Sequence, residues 1–190
     1  MSNKLRLARF AAVGFGTVLI GASAFAQSYA PQPGETVVRY EIENRGSILV
    51  RFYTAEAPKT TQHILKLVRQ GFYDGLQFFR VERTPRPYLA FVGDPQTKSL
   101  GVEAPQVGTG GSGTKVPLEK TPFEHEEGSV GLARPREDEN GGDSQIYFSL
   151  GKFKFLDGKY TIFGKVVSGI DVLRKLEKGD RIRSARIVSE

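Results

Sequence analysis

Few residues of this chain can carry covalent chemistry. Its 190 residues include two histidines and no cysteine, so a thiolate nucleophile, a disulfide and a cysteine-based metal site are excluded. Neither histidine belongs to a recognisable nucleophile motif such as G-x-S-x-G. The chain offers instead 13 phenylalanines and 7 tyrosines, with Arg80 inside an aromatic run and Gln145 just before another. This set suits the binding of an apolar or extended ligand better than covalent catalysis.

Two motifs could be taken for ligand sites, and we interpret both as structural. His125 lies among glutamates at 124, 126 and 127, but one histidine beside carboxylates lacks the spacing of a converging metal site. Gly108–Gly113 reads GTGGSG, which satisfies G-x-G-x-x-G, yet no strand leads into it and no helix follows. We therefore expect no metal and no cofactor.

The elements that must position the candidate residues are mostly short β-type runs. Val37–Glu43 and Ile48–Tyr53 predict a hairpin. Pro58 predicts the start of a helix that Gly71 ends. Further runs predict strands at Gln77–Glu82, Val130–Ala133, Ile146–Leu150, Tyr160–Val167 and Arg181–Val188, and a second helix at Ile170–Leu176. This spacing is typical of an all-β sheet or barrel whose aromatic residues gather on one side.

The first 26 residues have the anatomy of a secretory signal peptide. Lys4, Arg6 and Arg9 precede an apolar stretch that ends in small-residue cleavage patterns. We expect cleavage after Ala26 and a periplasmic or secreted protein. The alternative is an uncleaved anchor, because the stretch reaches the lower limit of ~17 residues for a membrane span. The predicted parts of the chain are a signal peptide at 1–26, a flexible linker at 27–35 and one folded domain at 36–190.

The net charge is too small to indicate a nucleic-acid partner. It is +6 for the whole chain, and removal of the signal peptide leaves 24 basic and 21 acidic residues without a dense basic run. We therefore expect no nucleic-acid partner. Separately, we expect no membrane attachment after cleavage and a monomer.

Several motifs, in order, give the chain a family resemblance. A-P-x-T and G-F-Y-D-G occur within Ala57–Gly75, F-x-R-V occurs at Phe78–Val81, and Tyr88–Asp94 matches a segment that usually reads F-M-x-Q-G-G-D. The later motifs are GTGG, A-R, S-Q, L-D-G-K and F-G-K-V. In order and spacing, from Val37 to Val188, the chain resembles the cyclophilin-type peptidyl-prolyl isomerases, and especially exported bacterial members.

The resemblance implies a fold and a site. The fold would be a closed antiparallel eight-stranded β-barrel capped by two α-helices. The activity would be cis–trans isomerisation of X-Pro bonds in unfolded or exported polypeptides, without a cofactor. Arg80 would be the catalytic hydrogen-bond donor, and Gln145 would orient Arg80 or the peptide. The substrate-binding residues would be Tyr88, Leu89, Phe91, Tyr147 and Leu156 along the pocket, Phe155 and Tyr160 at its edge, and Ala133 and Arg134 against the peptide backbone.

Isomerisation of an X-Pro bond is a reaction that such residues can serve. The barrier is the loss of amide resonance, ~18–20 kcal/mol, so uncatalysed turnover takes roughly tens to hundreds of seconds. An apolar pocket can grip the pyrrolidine ring while a donor stabilises the twisted bond, in which the nitrogen gains lone-pair character. The permanently charged guanidinium of Arg80 fits that donor role.

Departures from the family pattern leave a second function open. Phe79 stands where histidine is usual. Phe91 stands where a glutamine commonly hydrogen-bonds the substrate backbone, which a phenyl ring cannot do. Pro95–Val107 is longer than the matching loop of compact members. The alternative is a non-catalytic chaperone or binding module for proline-containing peptides on the same fold.

Other exchanges lie around the expected pocket. Phe155 and Tyr160 stand where many members have tryptophan and histidine, as is typical of bacterial ones. Tyr147 replaces a phenylalanine at the pocket floor, so its hydroxyl needs a partner. Asp157-Gly158 alone predicts a plain hairpin turn, but the resemblance implies a pocket-lining loop before the next strand, and we favour the loop.

Overall fold

The predicted hairpin forms the start of a large sheet. In the computed structural model, which describes residues 29–85 and 87–190, strand β1 (Val37–Ile42) pairs with β2 (Gly46–Phe52) in antiparallel register. Asn44 has a φ of 59° in the turn, the left-handed conformation that asparagine tolerates. The predicted signal peptide lies outside the described residues.

Eight antiparallel strands form one curled sheet. The remaining strands are β3 (Arg80–Val81), β4 (Leu89–Val92), β5 (Ser129–Leu132), β6 (Ile146–Ser149), β7 (Ile162–Ser168) and β8 (Ile182–Ser189). Their order is β3-β4-β6-β5-β7-β2-β1-β8. The sheet therefore has two edge strands, and the closed barrel expected from the sequence is not confirmed: the fold is an open half-barrel with two helices.

The segment before β3 makes a few irregular hydrogen bonds with the start of β8. The strand predicted at Gln77–Glu82 is regular only at Arg80–Val81, because the preceding residues hydrogen-bond to the start of β8 instead. Phe78 N–H donates to the Asp180 carbonyl at 2.8 Å, and Ile182 N–H donates to the Leu76 carbonyl at 2.8 Å. These bonds fix the segment that leads into β3, and β3 itself pairs with β4, with Arg80 opposite Phe91.

Helix α1 (Pro58–Arg69) begins and ends near the residues that the sequence indicates. Pro58 occupies its first turn, where a missing N–H costs nothing, and Gly71 follows its end with a φ of 67°. Glu119, from a distant loop, accepts hydrogen bonds from the N–H groups of Lys59 and Thr60 at 3.0 and 2.8 Å. A carboxylate here satisfies free donors and complements the helix dipole.

The main core lies between the sheet and the helices. The apolar stripe of α1, Ile64, Leu67 and Val68, is buried there as the sequence predicts. Val172 and Leu173 of helix α2 (Ile170–Arg174) join the same cluster. Within the described residues, no helix has the length and apolar character needed to cross a membrane.

Residues 29–35, predicted as part of a flexible linker, are held against β2. The Glu35 carboxylate accepts hydrogen bonds from Tyr29 Oη and from the Gln32 N–H, and it pairs with Arg51 Nη1 at 3.0 Å. The hydrogen bond from Tyr29, helped by those from Gln32 and Arg51, lowers the pKa of Glu35 to about 2.

Candidate active site

Alternation along two neighbouring strands, β4 and β6, produces a second apolar cluster on the face opposite the core. In β4, Ala90 and Val92 face the core, whereas Leu89 and Phe91 face the other way. In β6, Ile146 and Phe148 likewise join the core while Tyr147 belongs to the second cluster. Successive side chains of a strand point to opposite faces, so these short strands build a core and a site together.

A cross-strand row runs through this cluster. Arg80 of β3 is opposite Phe91 of β4, Phe91 is opposite Tyr147 of β6, and Tyr147 is opposite Gly131 of β5. A Cβ atom on Gly131 would lie 2.2 Å from Cζ and Oη of Tyr147. Because Gly131 has no side chain, the tyrosine ring can lie across β5 and form the floor of the site.

The row borders a small pocket of about 180 Å³. Nine of the eleven site residues expected from the sequence line it: Arg80, Tyr88, Leu89, Phe91, Ala133, Arg134, Tyr147, Leu156 and Tyr160. Its walls are aromatic or aliphatic, and its cations lie at the edge. The geometry therefore suits an apolar ring held beside a hydrogen-bond donor.

Arg80 lies at the rim, with its side chain 54% exposed. Its guanidinium carbon is 4.6 Å from the centre of the Phe91 ring, a cation–π distance. Its Nε and Nη2 both donate to Oε1 of Glu82, at 2.9 and 2.5 Å. Phe91 therefore supports the arginine from below, and Glu82 holds it from one edge.

Gln145 lies in an adjoining, wider groove of about 920 Å³, which shares Arg80 and Phe91 with the pocket. Its Nε2 donates to the carbonyls of Gly108 and Gly110, at 2.9 and 2.7 Å. Both amide hydrogens thus hold the glycine-rich loop. The expected orientation of Arg80 or of a peptide could come only from its carbonyl oxygen.

Asp94 secures the same loop from within the protein. Its buried carboxylate accepts hydrogen bonds from the N–H groups of Gly108 and Gly110, at 2.5 and 3.0 Å. A Cβ on Gly110 would lie 2.4 Å from that carboxylate, so this glycine is needed for the close approach. The GTGG motif therefore forms part of the groove wall, held by Asp94 and Gln145.

The predicted insertion forms another part of the groove. Pro95–Lys98 is a short 3₁₀ helix whose Asp94 cap accepts from Gln96 N–H at 2.8 Å. Val102, Ala104 and Val107 then line the groove. The insertion thus lies beside the candidate site instead of projecting away from it.

Two expected contacts are less direct than the sequence implies. The Arg134 side chain donates through Nε and Nη2 to the Lys159 carbonyl and lies 4.7 Å over the Tyr160 ring. The Arg134 side chain therefore stabilises the edge of the pocket and is not extended towards a bound peptide. Phe155 is 55% exposed and is not among the pocket-lining residues; it stacks on Tyr88 at 6.1 Å between ring centres.

A buried hydrogen-bonded chain supports the pocket floor. His125 is fully buried; its Nδ1 lies 2.7 Å from Oδ1 of Asp157, and its Nε2 lies 2.8 Å from Tyr147 Oη. Nδ1–H donating to the carboxylate leaves Nε2 to accept from the tyrosine. The hydroxyl of Tyr147 thus has the partner that its burial requires, and Asp157, in the loop before β7, holds the histidine from the other side.

Burial decides the charge of this histidine. Burial lowers the pKa of His125 and outweighs the opposing effect of Asp157, so the ring is neutral at pH 7. Sequence reasoning gave His125 only an unspecified structural role, because the acids beside it in the chain are not its partner. Across the described residues, no group of three or more His, Cys, Asp or Glu side chains is arranged to hold a metal ion.

Comparison with known proteins identifies the family. A family model described as "Cyclophilin type peptidyl-prolyl cis-trans isomerase/CLD" matches residues 37–190. The chain belongs to this family. A relative from Brucella abortus named "Probable peptidyl-prolyl cis-trans isomerase" is 36% identical over 182 residues, covering 93% of this cyclophilin and 88% of the relative. A Helicobacter pylori peptidyl-prolyl cis-trans isomerase is 33% identical, covering 74% and 80% of the two chains.

Other comparisons concern location and fold. A Synechocystis relative, named as a candidate thylakoid lumen peptidyl-prolyl isomerase, is 34% identical. The matched region spans 77% of this cyclophilin and 45% of the relative. The crystal structure of a Cryptosporidium parvum cyclophilin, solved in the presence of the dipeptide Ala-Pro, has a TM-score of 0.69 and 22% identity. It covers 81% of this chain and 99% of its own, and at this identity the likeness concerns the fold.

Phe79 and Phe91, which stand in place of the family's usual residues in this cyclophilin, pack together without filling the pocket. The rings of Phe79 and Phe91 lie 6.2 Å apart between centres, and a Cβ added at Gly108 would lie 3.4 Å from the Phe79 ring. Phe91 lies 5.7 Å from the Tyr147 ring. Together they form an aromatic strip between the pocket and the wider groove.

Proposed function

We propose that this cyclophilin catalyses cis–trans isomerisation of X-Pro bonds with Arg80 as the hydrogen-bond donor. The observation that carries the proposal is the position of the guanidinium at the rim of a small apolar pocket floored by Tyr147. The pyrrolidine ring would occupy the pocket between Leu89, Tyr147 and Leu156. The bond to the preceding residue would then lie at the rim, beside the arginine.

The arrangement supplies what the reaction needs. As the bond twists, the proline nitrogen loses resonance and gains a lone pair. An Arg80 N–H can donate to that lone pair, so it stabilises the twisted state more than the planar ground state. Apolar walls around the ring exclude water and strengthen that interaction. No proton transfer or covalent intermediate is required, in keeping with the absence of a nucleophilic motif.

Substrate peptides would extend from the pocket along the wider groove. Ala133 lines both cavities, so peptide backbone crossing from one to the other would pass it. The proposed substrates are unfolded polypeptides that contain proline, and Gln145 would contact them through its side-chain carbonyl oxygen.

Export is a separate part of the proposal. The signal peptide at 1–26, cleavage after Ala26 and a folded domain at 36–190 rest on the sequence pattern, and the family match at 37–190 agrees with that division. The name of the Synechocystis relative, which refers to the thylakoid lumen, points the same way. Expression in a double-membrane bacterium, followed by N-terminal sequencing of the periplasmic protein, should give Gln27 as the first residue; an intact Met1 would refute cleavage.

The activity is tested by isomerisation of a short X-Pro peptide, with Arg80→Ala as the variant. Loss of a preorganised donor to the transition state should lower kcat/KM by about 10²–10³-fold. Arg174→Ala is a matched control, because Arg174 pairs with Glu127 and lines neither cavity. Undiminished turnover by Arg80→Ala would refute the donor assignment, and peptide binding without turnover by the unmodified protein would establish the binding module instead.

A further inference from the structure

The donor of the proposed reaction lies where a side chain would normally be mobile. Arg80 belongs to a two-residue edge strand, and its side chain is more than half exposed. A long arginine side chain in this setting has many rotamers, so its direction must be fixed by contacts. Two contacts are present, one with Phe91 and one with Glu82.

The contact with Phe91 fixes the height of the guanidinium but not its rotation. Attraction to a ring quadrupole depends mainly on the cation lying over the ring face, and the guanidinium plane can turn there at little cost. The phenyl ring of Phe91 has no hydrogen-bonding atom, so it cannot restrict that rotation.

Glu82 supplies the angular restraint. Its Oε1 accepts from both Nε and Nη2 of Arg80, a fork that sets the rotation as well as the position of the guanidinium. Residues two apart in extended chain lie on the same face, which brings the carboxylate alongside the arginine. The backbone of Glu82 is itself fixed, since its N–H donates to the Leu89 carbonyl at 3.0 Å and its carbonyl accepts from Tyr88 N–H at 2.9 Å.

The carboxylate also depends on the arginine. The Glu82 side chain is 27% exposed, and its Oε2 is buried with no hydrogen-bond partner in the described part of the chain. A half-buried carboxylate without its cation would be costly, which favours the paired state. Two N–H groups of the arginine are used by Glu82, and within the described residues those on Nη1 have no hydrogen-bond acceptor.

We propose that Glu82 is the positioning residue for Arg80, holding the guanidinium so that its remaining N–H groups are presented to a proline nitrogen at the pocket rim. This inference rests on the proposed function. Glu82 makes no contact with the reacting bond in this role and acts only through Arg80.

The test is a double-mutant cycle on X-Pro peptide isomerisation. Glu82→Ala should lower kcat about ten-fold and leave KM little changed. A catalytic group misplaced by about 1 Å can cost about 10²-fold, but here the loss should be smaller because Phe91 still holds the guanidinium. Glu82→Gln keeps an acceptor oxygen and should retain activity within about three-fold of the unmodified protein. In the Arg80→Ala background, Glu82→Ala should cause no further loss.

Two further measurements separate the possible failures. Glu127→Ala breaks the comparable ion pair with Arg174, away from both cavities, and should leave kcat unchanged. The ¹H–¹⁵N signal of Arg80 Nε should be slow to exchange in the unmodified protein and lost to exchange in Glu82→Ala.

The inference alone fails if Arg80→Ala is inactive while Glu82→Ala keeps full kcat, or if Glu82→Ala costs the same factor in both backgrounds. An unchanged Nε signal in Glu82→Ala would also overturn it. If Arg80→Ala retains full activity, the donor assignment fails, and a role for Glu82 in positioning a donor fails with it.

Discussion

Removal of one buried hydroxyl tests whether the chain behind the pocket floor stabilises the protein. Tyr147→Phe keeps the ring that floors the pocket and restores the residue usual in the family, but it leaves Nε2 of His125 without its 2.8 Å partner. His125 is fully buried, so water cannot replace the hydroxyl without a rearrangement. An unsatisfied buried acceptor costs about 1–3 kcal/mol.

We therefore expect Tyr147→Phe to lower the free energy of unfolding by about 2 kcal/mol. For a chain of this length, that corresponds to a fall in Tm of about 4–8 °C. Urea unfolding followed by circular dichroism, with a parallel thermal scan, measures both quantities. Turnover of the X-Pro peptide should change by less than about three-fold, because the apolar surface of the floor is retained.

Tyr40→Phe is the matched control. Tyr40 is also buried and packs edge-on against Tyr73 and Phe148, but its hydroxyl has no hydrogen-bond partner within the described residues. Its removal should be neutral or stabilising by up to about 1 kcal/mol. If Tyr147→Phe and Tyr40→Phe have the same stability, the chain through His125 contributes nothing measurable and the reasoning is refuted.

Three further predictions concern charge, capping and packing. Burial lowers the pKa of both His63 and His125, so stability should be full above about pH 6.5 and fall as the pH drops below that value, where the unfolded chain takes up protons; a urea midpoint equal at pH 7.5 and pH 5.5 would contradict this. Glu119→Ala removes the acceptor at the start of α1 and should cost about 1 kcal/mol in thermal unfolding, with activity unchanged; an unaltered Tm would show that the cap contributes nothing. Gly131→Ala should displace the Tyr147 ring, lowering stability by about 1–3 kcal/mol and also peptide turnover; full turnover would mean that the ring position is unimportant.

The residues around the pocket could be anticipated from the sequence because their order along the chain carries the information. Motifs such as F-x-R-V and S-Q indicate which strand residues face the pocket. Because side chains alternate along a strand, the residues next to them in the chain face the core. Nine expected residues consequently line one pocket. Their roles in binding and catalysis stay predictions.

Other features depend on contacts that no local pattern reveals. The partner of Tyr147 is His125, and the partner of His125 is Asp157, each brought together only by the fold. The strand around Arg80 is shorter than its β-type composition predicts, since the residues before it bond to the start of β8. Gln145 holds the glycine-rich loop because that loop folds back over it, which depends on Asp94.

The place of β1 in the sheet has a consequence for biogenesis. β1 is paired with β2 on one side and with β8 on the other, so that Tyr40 lies opposite Ala185. A ribosome makes β1 early and β8 much later, and one edge of β1 must remain unpaired throughout the interval. Contacts of such sequence separation form slowly and leave apolar strands exposed to aggregation. Native structure can therefore be completed only after almost the whole domain has been synthesised, which keeps the chain accessible to chaperones until then.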